Sequence, residues 1–394
     1  MEEFPKVYLK PGRERSLQRF HLWVFSGAIK GISGKPEEGD IVEVCDASGN
    51  YLATGHIQNG SITVRIFSFT QTDAGINFWK EKFERAFALR KALGFFDNPN
   101  TNVFRLVHGE GDGFPGLILD YYNGVVVLQA HATGMWRHRE LFTKVIREIL
   151  GDKVTTIYDK SASTLNAAGE ADTSPFLIGN QETAEVKEYG HRFEIDFREG
   201  QKTGFFIDQR ENRKLLGNCC NSKKVANIFA YTGGFSVYAA SAGAVLVDSL
   251  DSSEKAMALA RKNMEINFGE RPEHRYFRHD AFEFFKSPPE NYDVIVLDPP
   301  AFAKHQQALK NALQAYRRIN EAAIRNLSPG GILFTFSCSQ AVSKVDFRKA
   351  VFSSAAATGR SVKIIHQLTQ PADHPVNIYH PEGEYLKGLV VFVE

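Results

Sequence analysis

The hydrophobic pattern changes rhythm along the chain, and the changes mark predicted domains. From Val7 to about Phe69, short apolar runs are broken by turn residues. Ser48, Gly49 and Asn50 separate a strand from Ile41 to Val44 from another from Tyr51 to Ile57, and a third runs from Ile62 to Phe67. Beyond a linker at Gln71 to Gly75, Phe78, Phe83, Ala86 and Phe87 recur at near-helical spacing and predict a packing helix from Phe78 to Leu93. Phe104 to about Phe197 alternates strands with one helix after Trp136, and from Arg198 strands and helices alternate as in a parallel α/β sheet. The expected division is a small mostly-β domain at 1–72, a mixed α/β middle domain at 73–195 and an α/β domain at 196–394.

The most apolar run of the last part, Val294 to Leu297, reads as a strand buried on both faces. It stops at Asp298, Pro299 and Pro300, because two prolines cannot continue a central strand. Ligands of open parallel sheets bind at the carboxyl ends of the strands, so an acid held there by prolines is placed for chemistry. The plainer alternative is an aspartate that only shapes a turn.

The same rim collects further candidates. Lys224 to Ala240 is a strand, a turn containing Gly233 and a helix, the arrangement that lets backbone approach a ligand. It lacks the full dinucleotide glycine spacing, which counts against a nicotinamide or flavin. A second strand ends in acids, of which Asp251, at the junction with the next helix, suits ribose hydroxyls better than Asp248. Asp280 precedes another helical run and could meet an adenine amino group; each acid alone could equally be a helix cap. Asp208 with Glu211 resembles a capping box starting a helix from Gln209 to Leu216. The glycine-rich stretch Gly109 to Gly116 leads into a strand rather than a helix and is read as a turn, not a phosphate loop.

Composition narrows the class. The chain has 394 residues, 43% hydrophobic and 24% charged, enough for packed cores. No apolar run approaches the roughly 20 residues that span a bilayer, and the acidic start Met1, Glu2, Glu3 is unlike a secretory signal. Cys45, Cys219, Cys220 and Cys338 have no metal-ligand spacing, so no metal is expected, and free thiols fit a cytoplasmic protein. A net charge of +1 excludes a uniformly basic coat. Local basic clusters remain at Lys6, Lys10, Arg13, Arg15 and Arg19, close to Trp23 and Phe25. These suit looped or single-stranded RNA, or else they are a core tryptophan with surface arginines.

Taken together, the run Arg198 to Arg210, the Asp298-Pro299-Pro300-Ala301-Phe302 loop, Ser337-Cys338-Ser339, and Asp373-His374-Pro375 followed by Glu382 to Lys387 resemble class I S-adenosylmethionine-dependent methyltransferases. More specifically they resemble bacterial 23S ribosomal RNA cytosine-5 methyltransferases of the RlmI (YccW) type, over essentially the whole chain. The resemblance implies a Rossmann-like class I methyltransferase domain with a small PUA-like RNA-binding domain and a mixed α/β middle domain. It implies S-adenosyl-L-methionine held by Phe206, Asp208, Arg210, Asn227, Phe229, Tyr231, Gly233, Asp251 and Asp280. The implied partner is ribosomal RNA and no membrane is involved; the oligomeric state stays open, a homodimer among the options.

Cys338 follows an apolar strand from Gly331 to Phe336, which brings its thiol to the rim of Asp298. C5 of cytosine is a poor nucleophile, so a cytosine-5 enzyme needs covalent activation, and Cys338 would attack C6. Asp298 would hold the N3 and N4 edge, Pro299 and Pro300 would fix the loop, Phe302 would stack on the base and Lys304 would meet phosphate. No residue identifies itself as the base for the C5 proton. Two other readings stay open: an amino-group methyltransferase using the Asp-Pro-Pro loop, and a non-catalytic RNA-binding assembly protein.

Overall fold

In the computed structural model, which describes residues 4–165, 174–303 and 305–394, the alternating apolar residues of the N-terminal part build a six-stranded sheet. Its strands lie in the order Trp23–Phe25, Ile62–Ser68, Tyr51–Ile57, Ile41–Cys45, Lys6–Leu9, Ile29–Ile32. Val7, Leu9, Val42, Val44, Val64 and Ile66 point to one side and form its core. The predicted turn is present: Asp46 Oδ1 accepts from the amides of Ser48 and Asn50, and Gly49 takes a left-handed φ of 93°.

A five-stranded sheet follows, running Phe176–Ile178, Thr156–Asp159, Val125–Ala130, Leu117–Tyr122, Val103–His108. The helix Ile76–Ala92 buries Trp79, Phe83 and Phe87, where Trp79 and Phe83 pack against Phe114 and Phe142. Gly109–Asp112 is a single 3-10 turn before the strand Leu117–Tyr122, in keeping with a turn rather than an anion loop.

The chain forms two units. The first takes in Met1–Lys187, Ile195–Ile207 and Ala372–Gly383; the second takes in Glu188–Glu194, Asp208–Pro371 and Glu384–Glu394. The boundary expected at 196 falls within the stretch Ile195–Ile207, which groups with the first unit. Polar contacts within the first unit explain it. Thr203 Oγ1 donates to Asp120 at 2.6 Å, buried Arg90 donates to the Asp373 carbonyl at 2.7 Å, and the Arg105 amide donates to the Asp373 carboxylate at 2.9 Å.

The second unit carries a seven-stranded sheet. Its strands are β1 (Lys224–Ile228), β2 (Leu246–Asp251), β3 (His274–Arg278), β4 (Tyr292–Leu297), β5 (Leu327–Ser337), β6 (Val362–Leu368) and β7 (Lys387–Val393). The spatial order is β3-β2-β1-β4-β5-β7-β6. The first five are parallel, β7 is antiparallel to β5, and β6 is antiparallel to β7. Helices α1 (Arg210–Gly217), α2 (Gly234–Ser241), α3 (Glu254–Phe268), α4 (Leu309–Asn326) and α5 (Lys344–Thr358) connect or flank the strands. Val294, Ile295, Val296 and Leu297 are 0–1% exposed, and their burial contributes roughly 6–12 kcal/mol as an upper figure.

Helix α1 departs from expectation. It starts at Arg210 after a 3-10 turn at Ile207–Gln209, and its N-cap makes no side-chain bond. The Asp208 carboxylate instead accepts the Tyr385 hydroxyl at 2.7 Å, so there is no capping box.

The second unit also buries an ion pair: Arg213 donates to both oxygens of Glu188 at 2.8 and 2.7 Å, and the Tyr238 hydroxyl donates to Glu188 at 3.0 Å. Both partners are almost wholly shielded, so deleting one strands the other's charge. Glu188→Ala is expected to lower the unfolding free energy by about 3–5 kcal/mol in urea melts. Tyr238→Phe, which removes one hydrogen bond and no charge, is expected to cost about 1 kcal/mol.

Candidate active site

Strands β4 and β5 are parallel neighbours with Leu297 opposite Thr335, so the residues that follow them leave the sheet at one rim. Asp298 comes first after β4, and its amide donates to the Ile228 carbonyl at the end of β1 at 3.4 Å. Pro299 is buried and Pro300 exposed. Cys338 comes first after β5, half-buried, with its Sγ 4.0 Å from the Pro299 carbonyl oxygen. The two residues expected to act together are thus brought to adjoining strand ends.

Ser339 ties their loops. Its Oγ accepts from the Ala303 amide at 3.3 Å and lies 3.0 Å from the Tyr316 hydroxyl. Phe302 packs its ring against Tyr316, centroids 4.8 Å apart, and is half-buried, so only part of it is left for a stacked base. Lys304 lies outside the described residues.

Sequence reasoning assigned no chemistry to Lys387. It opens β7 opposite Ser337, is 5% exposed, and its Nζ donates to the Ser339 carbonyl at 2.7 Å. Burial lowers its pKa to about 8, and the negative charge of a Cys338 thiolate opposes that shift. The sequence signal was a single lysine heading the otherwise apolar run Leu389 to Val393.

The other half of the rim surrounds the end of β1. Phe229 and Tyr231 have left-handed φ values of 63° and 47°, and Gly233, at 78°, caps α2. Such conformations cost non-glycine residues about 1–2 kcal/mol each and are held here by specific bonds. The Tyr231 amide donates to Asp251 Oδ2 and the Ser253 amide to Asp251 Oδ1, each at 3.0 Å. A Cβ on Gly233 would stand 3.1 Å from Ala260 Cβ, so this position favours glycine twice over.

Asp248 is fully buried, held by Arg275 at 2.7 Å on both oxygens and by Tyr292 at 2.5 Å. It belongs to the frame, which leaves Asp251 as the acid at the strand end. Asp280 caps the short turn Ala281–Phe284 through Oδ1, leaving both cap bonds on one oxygen. A carboxylate offers about four acceptor sites, so Asp251 and Asp280 keep capacity for ribose hydroxyls and an amino group.

The other residues expected around a cofactor have the following surroundings. Asn227 is 1% exposed and donates to Ser236 Oγ at 2.9 Å, which in turn lies 2.7 Å from Ser249 Oγ. It ties the end of β1 to helix α2. Arg210 is fully buried, with Nε 3.3 Å from Glu211 Oε1. Phe206 belongs to the first unit, where Lys202 Nζ stands 4.4 Å from its ring centroid. Burial, which sequence does not report residue by residue, sets Asn227 and Arg210 apart from the half-buried Asp251, Asp298 and Cys338.

Comparison with known proteins agrees with this geometry. Residues 104–383 match the family described as S-adenosylmethionine-dependent methyltransferase, and residues 7–69 match a PUA-like domain. A ribosomal RNA large subunit methyltransferase I from Aeromonas salmonicida (strain A449) is 37% identical over 393 residues, covering 98% of each chain. The protein of the same name from Shewanella amazonensis is 38% identical over 397 residues, covering 98% of this chain and 99% of the other. Among solved structures, a SAM-dependent methyltransferase from Streptococcus mutans superposes with a TM-score of 0.85 at 22% identity, over 98% of this chain and all of that one, which speaks to fold. With its strand order, its glycine turn followed by acids at successive strand ends and these relatives, the chain belongs to the S-adenosylmethionine-dependent methyltransferases, in the family of ribosomal RNA large subunit methyltransferase I.

Proposed function

We propose that the protein methylates C5 of a cytosine in large-subunit ribosomal RNA through a transient bond between Cys338 and C6. The observation that carries this reading is the placement of the Cys338 thiol 4.0 Å from the Pro299 carbonyl, beside Asp298, on the neighbouring parallel strand. An enzyme that aligned an exocyclic amine would have no use for a thiol there.

When bound, S-adenosylmethionine supplies an electrophilic methyl group. Gly233 and Asp251, with Asp280, form the part of the rim suited to its adenosine moiety. The Cys338 thiolate adds to C6 and pushes electron density onto C5, which becomes nucleophilic enough to take a methyl group. Asp298 hydrogen-bonds the N3 and N4 edge, lending N3 a proton while the adduct exists and recovering it on elimination. Pro299 and Pro300 keep that carboxyl group in place, and the half-buried face of Phe302 borders the base.

RNA is held in part by the PUA-like domain. Arg13, Arg15 and Arg19 are exposed there, and Phe25 is 46% exposed. Trp23 is half-buried and donates its indole N–H to Glu110 at 2.8 Å, so it supports this face rather than stacking on a base. The names of the relatives point to ribosomal RNA as the substrate. The four free thiols are in keeping with work in the cytoplasm.

Two experiments test the reading. Nucleoside analysis of ribosomal RNA treated with the enzyme and labelled cofactor should yield 5-methylcytosine, and Cys338→Ala should lose activity by at least about 10³-fold. An N-methylated product, or full activity in that variant, overturns the covalent mechanism. Separately, Asp251→Ala should weaken cofactor binding about 10- to 100-fold by calorimetry, the scale of losing hydrogen bonds to a charged group. Unchanged affinity would remove Asp251 from the site.

A further inference from the structure

Elimination of Cys338 from C6 requires a base that removes the C5 proton, and strand order says where that base must stand. Along the rim, Gly233 follows β1, Asp251 ends β2, Asp280 follows β3, Asp298 follows β4, and Cys338 follows β5. A cytosine held by Asp298 therefore has the cofactor residues on one side and the thiol on the other. A methyl group added from the cofactor side turns the C5 hydrogen toward the thiol. The base has to come from beyond Cys338, and the strand beyond β5 is β7, headed by Lys387.

We propose that Lys387 is the general base that takes the C5 proton. This rests on the cytosine-5 reading above and supplies the step it leaves open. In that step the Nζ lone pair bonds the C5 hydrogen, the C–H electron pair forms the C5=C6 double bond, and the C6–S bond breaks to release the Cys338 thiolate. The resulting ammonium later loses its proton to water.

The surroundings of Nζ suit a neutral amine. Its residue is 5% exposed, and among the described residues its one hydrogen-bond acceptor is the Ser339 carbonyl, at 2.7 Å. An ammonium has three N–H groups to satisfy, whereas an amine can donate one to Ser339 and keep a lone pair free. The charged groups facing it are Cys338 after β5, Glu384 just before β7 and Lys344 on α5. Glu384 is paired with Lys344, so it does not hold the amine in its charged form by direct contact. Burial sets the pKa at about 8. The Cys338 charge that raises it disappears once sulfur is bonded to C6, so the amine is freest of its proton when the C5 proton has to leave.

The test follows the covalent enzyme–RNA species on denaturing gels and by intact mass, with enzyme, S-adenosylmethionine and ribosomal RNA. Lys387→Met and Lys387→Arg should both accumulate a methylated adduct, and release of methylated RNA should slow about 10²- to 10⁴-fold, the usual contribution of a positioned base. Adduct decay in the wild type should speed up as pH rises and level off below about 8, since the Cys338 charge that helps hold the amine at that value is gone in the adduct. If Lys387→Arg releases product normally, or if adduct fails to form in Lys387→Met but forms in Lys387→Arg, the lysine serves as a cation beside the thiol and the proposal falls. Should Lys387→Met fail to fold, a wild-type decay rate flat across pH 6–9 overturns the proposal by itself. RNA carrying 5-fluorocytidine separates the two levels, since fluorine at C5 blocks elimination whatever the base. If the wild type gives no adduct with it, the Cys338 reading fails irrespective of Lys387.

Discussion

Everything at the site depends on the parallel register of β1, β4 and β5. Because Ile228, Leu297 and Thr335 are aligned across three adjacent strands, the loops after them emerge at one edge. The order of the strands reverses its progression between β1 and β4, the switch point where open sheets make a crevice. The hydrogen bond from the Asp298 amide to the Ile228 carbonyl extends that pairing by one step and carries the aspartate to the crevice before the prolines stop the ladder. A one-residue slip would invert every side chain of β4, but Val294 to Leu297 are buried throughout, which holds the register.

Around this rim the fold divides polar residues into two sets. Asp248 with Arg275 and Tyr292, and Glu188 with Arg213 and Tyr238, are mutually satisfied inside the second unit and keep its frame rigid. Asp251, Asp298, Cys338 and Lys387 stand at strand ends, on the rim above that frame. Backbone strain falls in the same place: Phe229 and Tyr231 adopt left-handed conformations where the chain leaves β1, and Asp251 accepts the amide that fixes the second of them. A scaffold of this kind holds reactive groups in a high-energy arrangement because the packed strands below do not yield.

Several features were legible in the sequence because each leaves a local mark. A β-branched run ending in Asp298 and two prolines, a glycine turn at Gly233, and acids at successive strand ends follow from turn chemistry and hydrophobic period. One pairing left a false mark. Asp208 and Glu211 have capping-box spacing, but the Tyr385 hydroxyl, distant in the chain, takes the aspartate. The hydrogen bond from Asn227 to Ser236 left no mark at all, because it joins β1 to helix α2 across a turn. The packing of Phe302 on Tyr316 was likewise illegible, since the two residues lie fourteen positions apart.

The sequence by itself determined the alternation of strands and helices, the places where strands end, and the residue types that stand there, since all of these depend on neighbours within a few positions. Tertiary structure alone decided which strand ends are adjacent, because strand order comes from pairing between distant segments. It decided that residues 195–207 and 372–383 join the first unit, through buried contacts to Asp120, Arg90 and Arg105. It also decided that Lys387, unremarkable in an apolar run, stands opposite Ser337 with its Nζ on the Ser339 carbonyl: β7 inserts antiparallel against β5, and desolvation there lowers the lysine's pKa to about 8.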